Sequence, residues 1–297
     1  MASEQIQNII TMLRTTAEDR GNTEMSIEEW RAAYGGLGSM LPIREGVPVL
    51  ATDAGGVPAE WIGAEGDGPV VVYVHGGGYC IGSLDTHRAL LTHLAAAIDG
   101  RVLAVDYRLA PEHPHPAALD DAVAAYRHVL AIGVPAEHVV IAGDSAGGGL
   151  TLATLVALRD AGDPTPAAGV CLSPWADLTQ SGATITTKAD VDPMVRGEDL
   201  DRWAAAYRGD LPADAPAISP LFADLRDLPP LHIEVGSAEV LLDDARRVAA
   251  AARAAGVEVT LHEASDMLHV WHFFAGIVPE ADDGITRVAE FIAKRAG

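Results

Sequence analysis

The chain is short of cysteine, of aromatic residues and of positive charge, and it has no long apolar run. Each shortage excludes something. Only two cysteines, Cys80 and Cys171, occur among 297 residues. Two thiols make no disulfide framework, and no Cys/His spacing marks a zinc site. Both lie in apolar stretches and read as buried free thiols. Aromatic residues are 5% of the chain, which argues against the broad apolar face of an interfacial lipase. Lys and Arg total 20 against 42 Asp and Glu, a formal net charge of −22. Such a field repels nucleic acid and anionic lipid, so neither is expected as a partner. No stretch approaches 18 uninterrupted apolar residues, and MASEQIQNII has neither a basic n-region nor an apolar h-region. The expectation is a soluble cytoplasmic protein with no membrane segment. No repeat and no low-complexity linker is found.

What is present is an ordinary globular composition, 49% hydrophobic, in a chain long enough for one large domain with an appendage. Residues 3–19 read as a helix, with Ser3 as cap and Ile6, Ile9, Ile10 and Leu13 on one face. Ser26 and Glu29 have capping-box spacing and open a second helix. Strands are expected over 47–52 and 57–62, around the Gly55-Gly56 turn signal. From Val70 the chain alternates. Strands 70–74, 101–106, 138–142, 168–173, 231–235 and 257–262 interleave with helices 85–98, 117–131, 146–161, 239–255 and 281–295. Val70 to Val74 is apolar throughout, as a strand buried on both faces should be. This rhythm predicts an α/β fold with a mostly parallel sheet covered on both faces. The stretch from 174 to 230 is too long for a bare connection. Within it Leu200, Trp203, Ala204 and Tyr207 are spaced as one face of a helix. The expected organisation is N-terminal cap helices in 1–45, core in 46–177, a cap insertion in 178–225, and core again in 226–297.

Residues 143–147 read Gly-Asp-Ser-Ala-Gly, placed between an apolar strand and a helix. In that context G-x-S-x-G is a nucleophile elbow, a sharp turn that pushes Ser145 out at the strand's C-terminal end. The helix behind it points backbone N–H groups toward developing negative charge. His75-Gly76-Gly77-Gly78 directly follows strand 70–74. Such a run suits an oxyanion loop, because glycine lets backbone N–H groups approach a substrate oxygen closely.

Serine needs a base, and histidine titrates near neutrality. Of eleven histidines, only those after Ser145 fit the order serine, acid, histidine. His232 and His262 fall in predicted strands and read as structural. His269 lies in the loop after the last strand and is the first choice, with His272 as runner-up. His113 and His115 form an H-x-H, but the flanking prolines favour a structured turn over metal. The acid should follow strand 231–235. Glu239 is the first carboxylate there, with Asp243 as the possible alternative acid. A helix beginning at Glu239 would put both on one face. Asp243 and Asp244 also suit a charged first helical turn.

Together the HGGG run at 75–78, Asp106-Tyr107-Arg108-Leu109-Ala110-Pro111-Glu112, GDSAG at 143–147, Ser173-Pro174-Trp175 and the His269 loop resemble the bacterial hormone-sensitive-lipase-like carboxylesterases. The similarity runs from about residue 40 to the C-terminus. It implies an α/β-hydrolase fold of about eight strands with a helical cap. It also implies oxyanion donors at Gly77, Gly78 and Ala146, short- to medium-chain ester substrates, no cofactor, and a homodimer. One departure stands out: the family usually shows Asp-Pro-Leu where this chain has Glu239-Val240-Leu241. A lactone hydrolase or an amidase would use the same triad. A ligand-binding protein on a hydrolase fold is the reading from another class, and the intact Ser145 and late histidine argue against it.

Overall fold

The apolar run Val70–Val74 forms a strand in which all five residues are buried. It lies at the middle of an eight-stranded sheet in a computed structural model that describes residues 2–20 and 25–297. Residues 1 and 21–24 of the expected N-terminal unit lie outside the described residues. The strands are β1 (Val49–Asp53), β2 (Pro58–Ile62), β3 (Val70–Val74), β4 (Arg101–Val105), β5 (Val139–Asp144), β6 (Ala168–Leu172), β7 (Leu231–Gly236) and β8 (Val259–Ala264). Their order is β1-β2-β4-β3-β5-β6-β7-β8. The β1–β2 and β2–β4 pairs are antiparallel, and the others are parallel.

The helices are α1 (Glu4–Arg20), α2 (Ile27–Met40), α3 (Leu84–Ala97), α4 (Ala117–Ala131), α5 (Ala146–Ala161), α6 (Thr184–Thr187), α7 (Gly197–Arg208), α8 (Leu242–Ala254) and α9 (Pro279–Ala296). Alternate residues of each central strand feed two cores. Val72, Val74, Leu103 and Ile141 pack with α4, α5 and α8. Val71, Tyr73, Val102 and Val140 pack with α3 and α9. Burial on both faces is the reason the central strands read as continuous apolar runs.

The caps form where the spacing predicts them. Ser3 Oγ accepts the Ile6 N–H at 3.3 Å, and Ser26 and Glu29 make a reciprocal capping box. Ser3 also donates to Glu280 of α9, which ties α1 to the core. One expected element differs. The helix read from 239 begins instead at Leu242. Residues 237–241 form a turn, closed by the Ala238 N–H on the Met267 carbonyl at 3.1 Å. The Glu239 side chain folds back to accept the Gly236 N–H, which holds it out of the helix. Glu239 and Asp243 therefore do not share a helical face. Among the described residues, no helix is long and apolar enough to cross a membrane.

The corner at Ser145 is the tightest part of the fold. β5 ends at Asp144 and α5 starts at Ala146, so Ser145 alone makes the turn, with φ 53° and ψ −122°. Its N–H donates to the Leu172 carbonyl at 2.8 Å, and its carbonyl accepts the Trp175 N–H at 2.9 Å. These bonds hold a conformation that non-glycine residues rarely adopt. Gly147 has no room for a side chain, since a Cβ there would lie 2.0 Å from the Val74 carbonyl oxygen. Gly147→Ala should destabilise the fold by about 3 kcal/mol or more, because the clashing groups, the Val74 and His75 carbonyls, are backbone. A urea unfolding midpoint within error of wild type would show that the corner has slack.

Candidate active site

Ser145, Gly77, Gly78 and His269 border one cavity of about 410 Å³. Three segments bring them there. Ser145 comes from the end of β5, the glycines from the loop after β3, and His269 from the loop after β8. Met12 of α1, Trp30 of α2, Met194 of the insertion and Trp203 of α7 help close it from above. Its lining is largely apolar, with no lysine or arginine among the described residues.

Glu239 and His269 meet directly. The imidazole Nδ1 lies 2.7 Å from Glu239 Oε2, with the carboxylate fully buried and His269 5% exposed. The other oxygen, Oε1, accepts the Ser173 hydroxyl at 2.8 Å and the Gly236 N–H. Ser173 Oγ in turn accepts the Val270 N–H at 3.1 Å. One hydroxyl thus links the acid to the histidine loop. Ser173 was visible in the sequence only as part of Ser-Pro-Trp, with no role of its own. Its position at the end of β6, one strand from the acid, is the signal that would have marked it.

The electrostatics follow from these contacts. Burial weakens the basicity of His269, but the hydrogen bond and charge of Glu239, with the charges of Asp192 and Asp144, outweigh it. Its pKa is raised above the ordinary 6.5. With Nδ1 occupied as a donor to the carboxylate, Nε2 is the nitrogen left to accept a proton.

The glycine loop is held from below by Asp144. This buried carboxylate accepts the Gly76 N–H at 3.0 Å and the Tyr73 hydroxyl at 2.8 Å, and it lies 3.2 Å from His87 Nε2. Burial opposes its ionisation, yet His87 and Tyr73 hold its carboxyl below the usual range. Tyr107 donates to the His75 carbonyl at 2.7 Å and stacks on the His75 ring. Burial and the neighbouring His87 push the His75 pKa down to about 3, so that ring stays neutral. Gly77 and Gly78 have φ of 114° and 58°. Among the described residues, none accepts either of their N–H groups. Ala146 begins α5, and N–H groups in a first helical turn have no intrahelical partner.

The remaining candidates lie elsewhere. Asp243 is turned toward the insertion, where Oδ2 accepts the Thr184 N–H at 3.1 Å. His272 Nε2 lies 3.0 Å from Glu234 Oε2, and His232 Nε2 3.0 Å from Oε1 of the same carboxylate. Both serve a buried cluster with Arg287. His115 faces the Tyr207 hydroxyl at 3.4 Å. Among the described residues no three His, Cys, Asp or Glu gather as metal ligands.

A mostly parallel sheet with a serine at a strand-to-helix elbow defines the α/β-hydrolase class. A family model described as alpha/beta hydrolase fold matches residues 71–273. An acetyl-hydrolase of Streptomyces hygroscopicus is 42% identical, covering 100% of this chain and 99% of the relative. A crystal structure of an esterase from the bacterial hormone-sensitive lipase family superposes with a TM-score of 0.95 at 46% identity, covering 100% of both chains. EstE5, in a crystal soaked with p-nitrophenyl butyrate, superposes with a TM-score of 0.95 at 41% identity, covering 99% of both. The chain belongs to the bacterial hormone-sensitive-lipase-like carboxylesterases and is a hydrolase of carboxylic esters.

The Asp144 contacts generate a test. Asp144→Asn keeps the shape but turns an amide toward donors, so about 1–3 kcal/mol of stability should be lost. Chemical denaturation reads this directly, and an unchanged midpoint would remove Asp144 as the support of the glycine loop.

Proposed function

We propose that the enzyme hydrolyses uncharged esters with short to medium acyl chains through Ser145, His269 and Glu239. The observation that carries this reading is the buried Glu239–His269 bond of 2.7 Å beside a cavity that also holds Ser145. Ser145 Oγ attacks the ester carbonyl as its proton passes to His269 Nε2. The N–H groups of Gly77, Gly78 and Ala146 stabilise the oxyanion, each donor worth roughly 2.7–4 kcal/mol in comparable sites. Glu239 keeps the imidazole in the Nδ1–H form and stabilises the imidazolium. The intermediate collapses, the C–O bond to the alcohol breaks, and the alcohol leaves with the proton from Nε2. Water then attacks the acyl-serine by the same route and releases the acid.

The apolar lining without cationic side chains favours neutral substrates. The acetyl-hydrolase relative and the p-nitrophenyl butyrate soak of EstE5 support short acyl groups. α1, α2 and the insertion around α7 act as the cap that bounds the substrate, because they supply much of the cavity wall.

Hydrolysis of p-nitrophenyl acetate, butyrate, octanoate and palmitate should peak at the shorter chains. Ser145→Ala should lower kcat by about 10⁴-fold or more, and Glu239→Ala by about 10³-fold. Asp243→Ala should stay within about threefold of wild type. A large loss confined to Asp243→Ala would move the acid role away from Glu239.

The pH profile supplies a second test. His269 must be neutral to act as base, and its pKa is raised. The acidic limb of kcat/KM should therefore lie above pH 6.5, the ordinary imidazole value. In Glu239→Gln the carboxylate charge is gone, so the limb should move to lower pH while the plateau falls. A limb that stays in place would show that Glu239 does not act on His269.

A further inference from the structure

Asp192 is a buried carboxylate with no part in the reaction just described. It lies between α6 and α7, 8% exposed, and it reaches in two directions. Oδ1 accepts the N–H groups of Met194 at 2.9 Å and Val195 at 3.0 Å, and both residues border the cavity. Oδ2 accepts the N–H of Val240 at 2.9 Å. Val240 directly follows Glu239, in the turn that precedes α8. Its carbonyl is also held from the insertion, by the Thr184 hydroxyl at 2.7 Å. Both backbone polar atoms next to the acid are thus fixed by residues of the insertion.

This arrangement has a cost that needs a return. Burying a carboxylate is unfavourable unless its oxygens are well satisfied. Here that satisfaction comes from three N–H groups, two on the cavity wall and one on the acid turn. Backbone bonds from Ser237 to Ala264 at 2.9 Å and from Ala238 to Met267 at 3.1 Å hold the start of the 237–241 turn, and Val240 beyond them is held from the insertion.

We propose that Asp192 is a positioning residue: its carboxylate couples the cavity wall at Met194–Val195 to Val240 and so sets the Glu239 carboxylate against His269. The carboxylates that bear on His269 are Glu239 from the acid turn, Asp192 from the insertion and Asp144 from β5. Asp144 supports the glycine loop, whereas Asp192 holds the Met194–Val195 wall and the acid turn together. A shift of the wall is thereby transmitted to the acid, which links substrate fit to the alignment of the Glu239–His269 pair. The kinetic part of this inference rests on the esterase reading above; the structural part does not.

The test uses the full chain with Asp192→Asn, and Asp190→Asn as a control that removes an exposed charge two residues away. Active serines are counted by fluorophosphonate labelling, and turnover of p-nitrophenyl butyrate is expressed per labelled site. Asp192→Asn should lower kcat per site about tenfold with KM within about twofold, whereas a merely structural role would lower the number of active sites and leave kcat per site intact. The downfield proton resonance of His269 Nδ1–H, in its bond to Glu239, should move or broaden in Asp192→Asn and stay in place in Asp190→Asn. Wild-type kcat per site together with an unmoved resonance would overturn the proposal. Hydrogen exchange at the Val240 amide of the wild-type protein covers the case in which Asp192→Asn does not fold: slow exchange supports the bond, and fast exchange overturns it. Absence of labelling at Ser145 in wild type would remove the esterase reading, and the resonance and exchange would still decide the role of Asp192.

Discussion

The close approach of α5 to the end of β3 governs the rest of the molecule. Gly147 lies against the Val74 carbonyl with no space for a Cβ, and Gly143 is similarly confined by the backbone of Gly147. Because the two strands are adjacent and parallel, this contact brings the elbow and the glycine loop to one corner. Ser145 takes a positive φ there, and the bonds to Leu172 and Trp175 offset the strain. The loops after β6, β7 and β8 then arrive on the same edge because those strands run parallel to β5. An open α/β sheet collects its chemistry at such an edge.

The second constraint is charge. A chain with a net charge of −22 keeps several carboxylates inside, and each has a defined set of partners. Asp144 has Tyr73, His87 and the Gly76 N–H. Glu234 has two histidines and Arg287. Glu239 has Ser173, Gly236 and His269. Asp192 has only backbone N–H groups among its hydrogen-bond donors. Buried carboxylates with such partners act as fixed points, since losing any one partner leaves an unpaired polar group in a low-dielectric interior. In this molecule most of them join a loop to a strand end, where regular secondary structure gives no hydrogen bonds to hold the chain.

Much of the fold was legible because its signals are local. Continuous apolar strands, Ser26–Glu29 spacing and the alternation after Val70 each act over a few residues, and the structure shows the corresponding elements within a few positions. The helix read from Glu239 starts later than its spacing suggests because the Glu239 side chain bonds backward to Gly236 in a turn. The pairing of Glu239 with His269, and the turning of Asp243 toward Thr184, depend on that same local departure from helical geometry. Ser173 showed in the sequence only within Ser-Pro-Trp and Asp192 not at all, because each bridges segments far apart in the chain.

The sequence by itself determined the class of fold, the strand-to-helix corner at Ser145 and the glycine loop after β3, and it narrowed the histidines and carboxylates to be compared. Periodicity, glycine placement and chain order are one-dimensional properties and survive without coordinates. Only the tertiary structure decided that Glu239 rather than Asp243 faces His269, that Ser173 joins the acid to the histidine loop, and that α1, α2 and α7 wall the cavity. Those relations depend on where loop backbones cross between parallel strands, and hydrogen bonds between segments remote in sequence set that position.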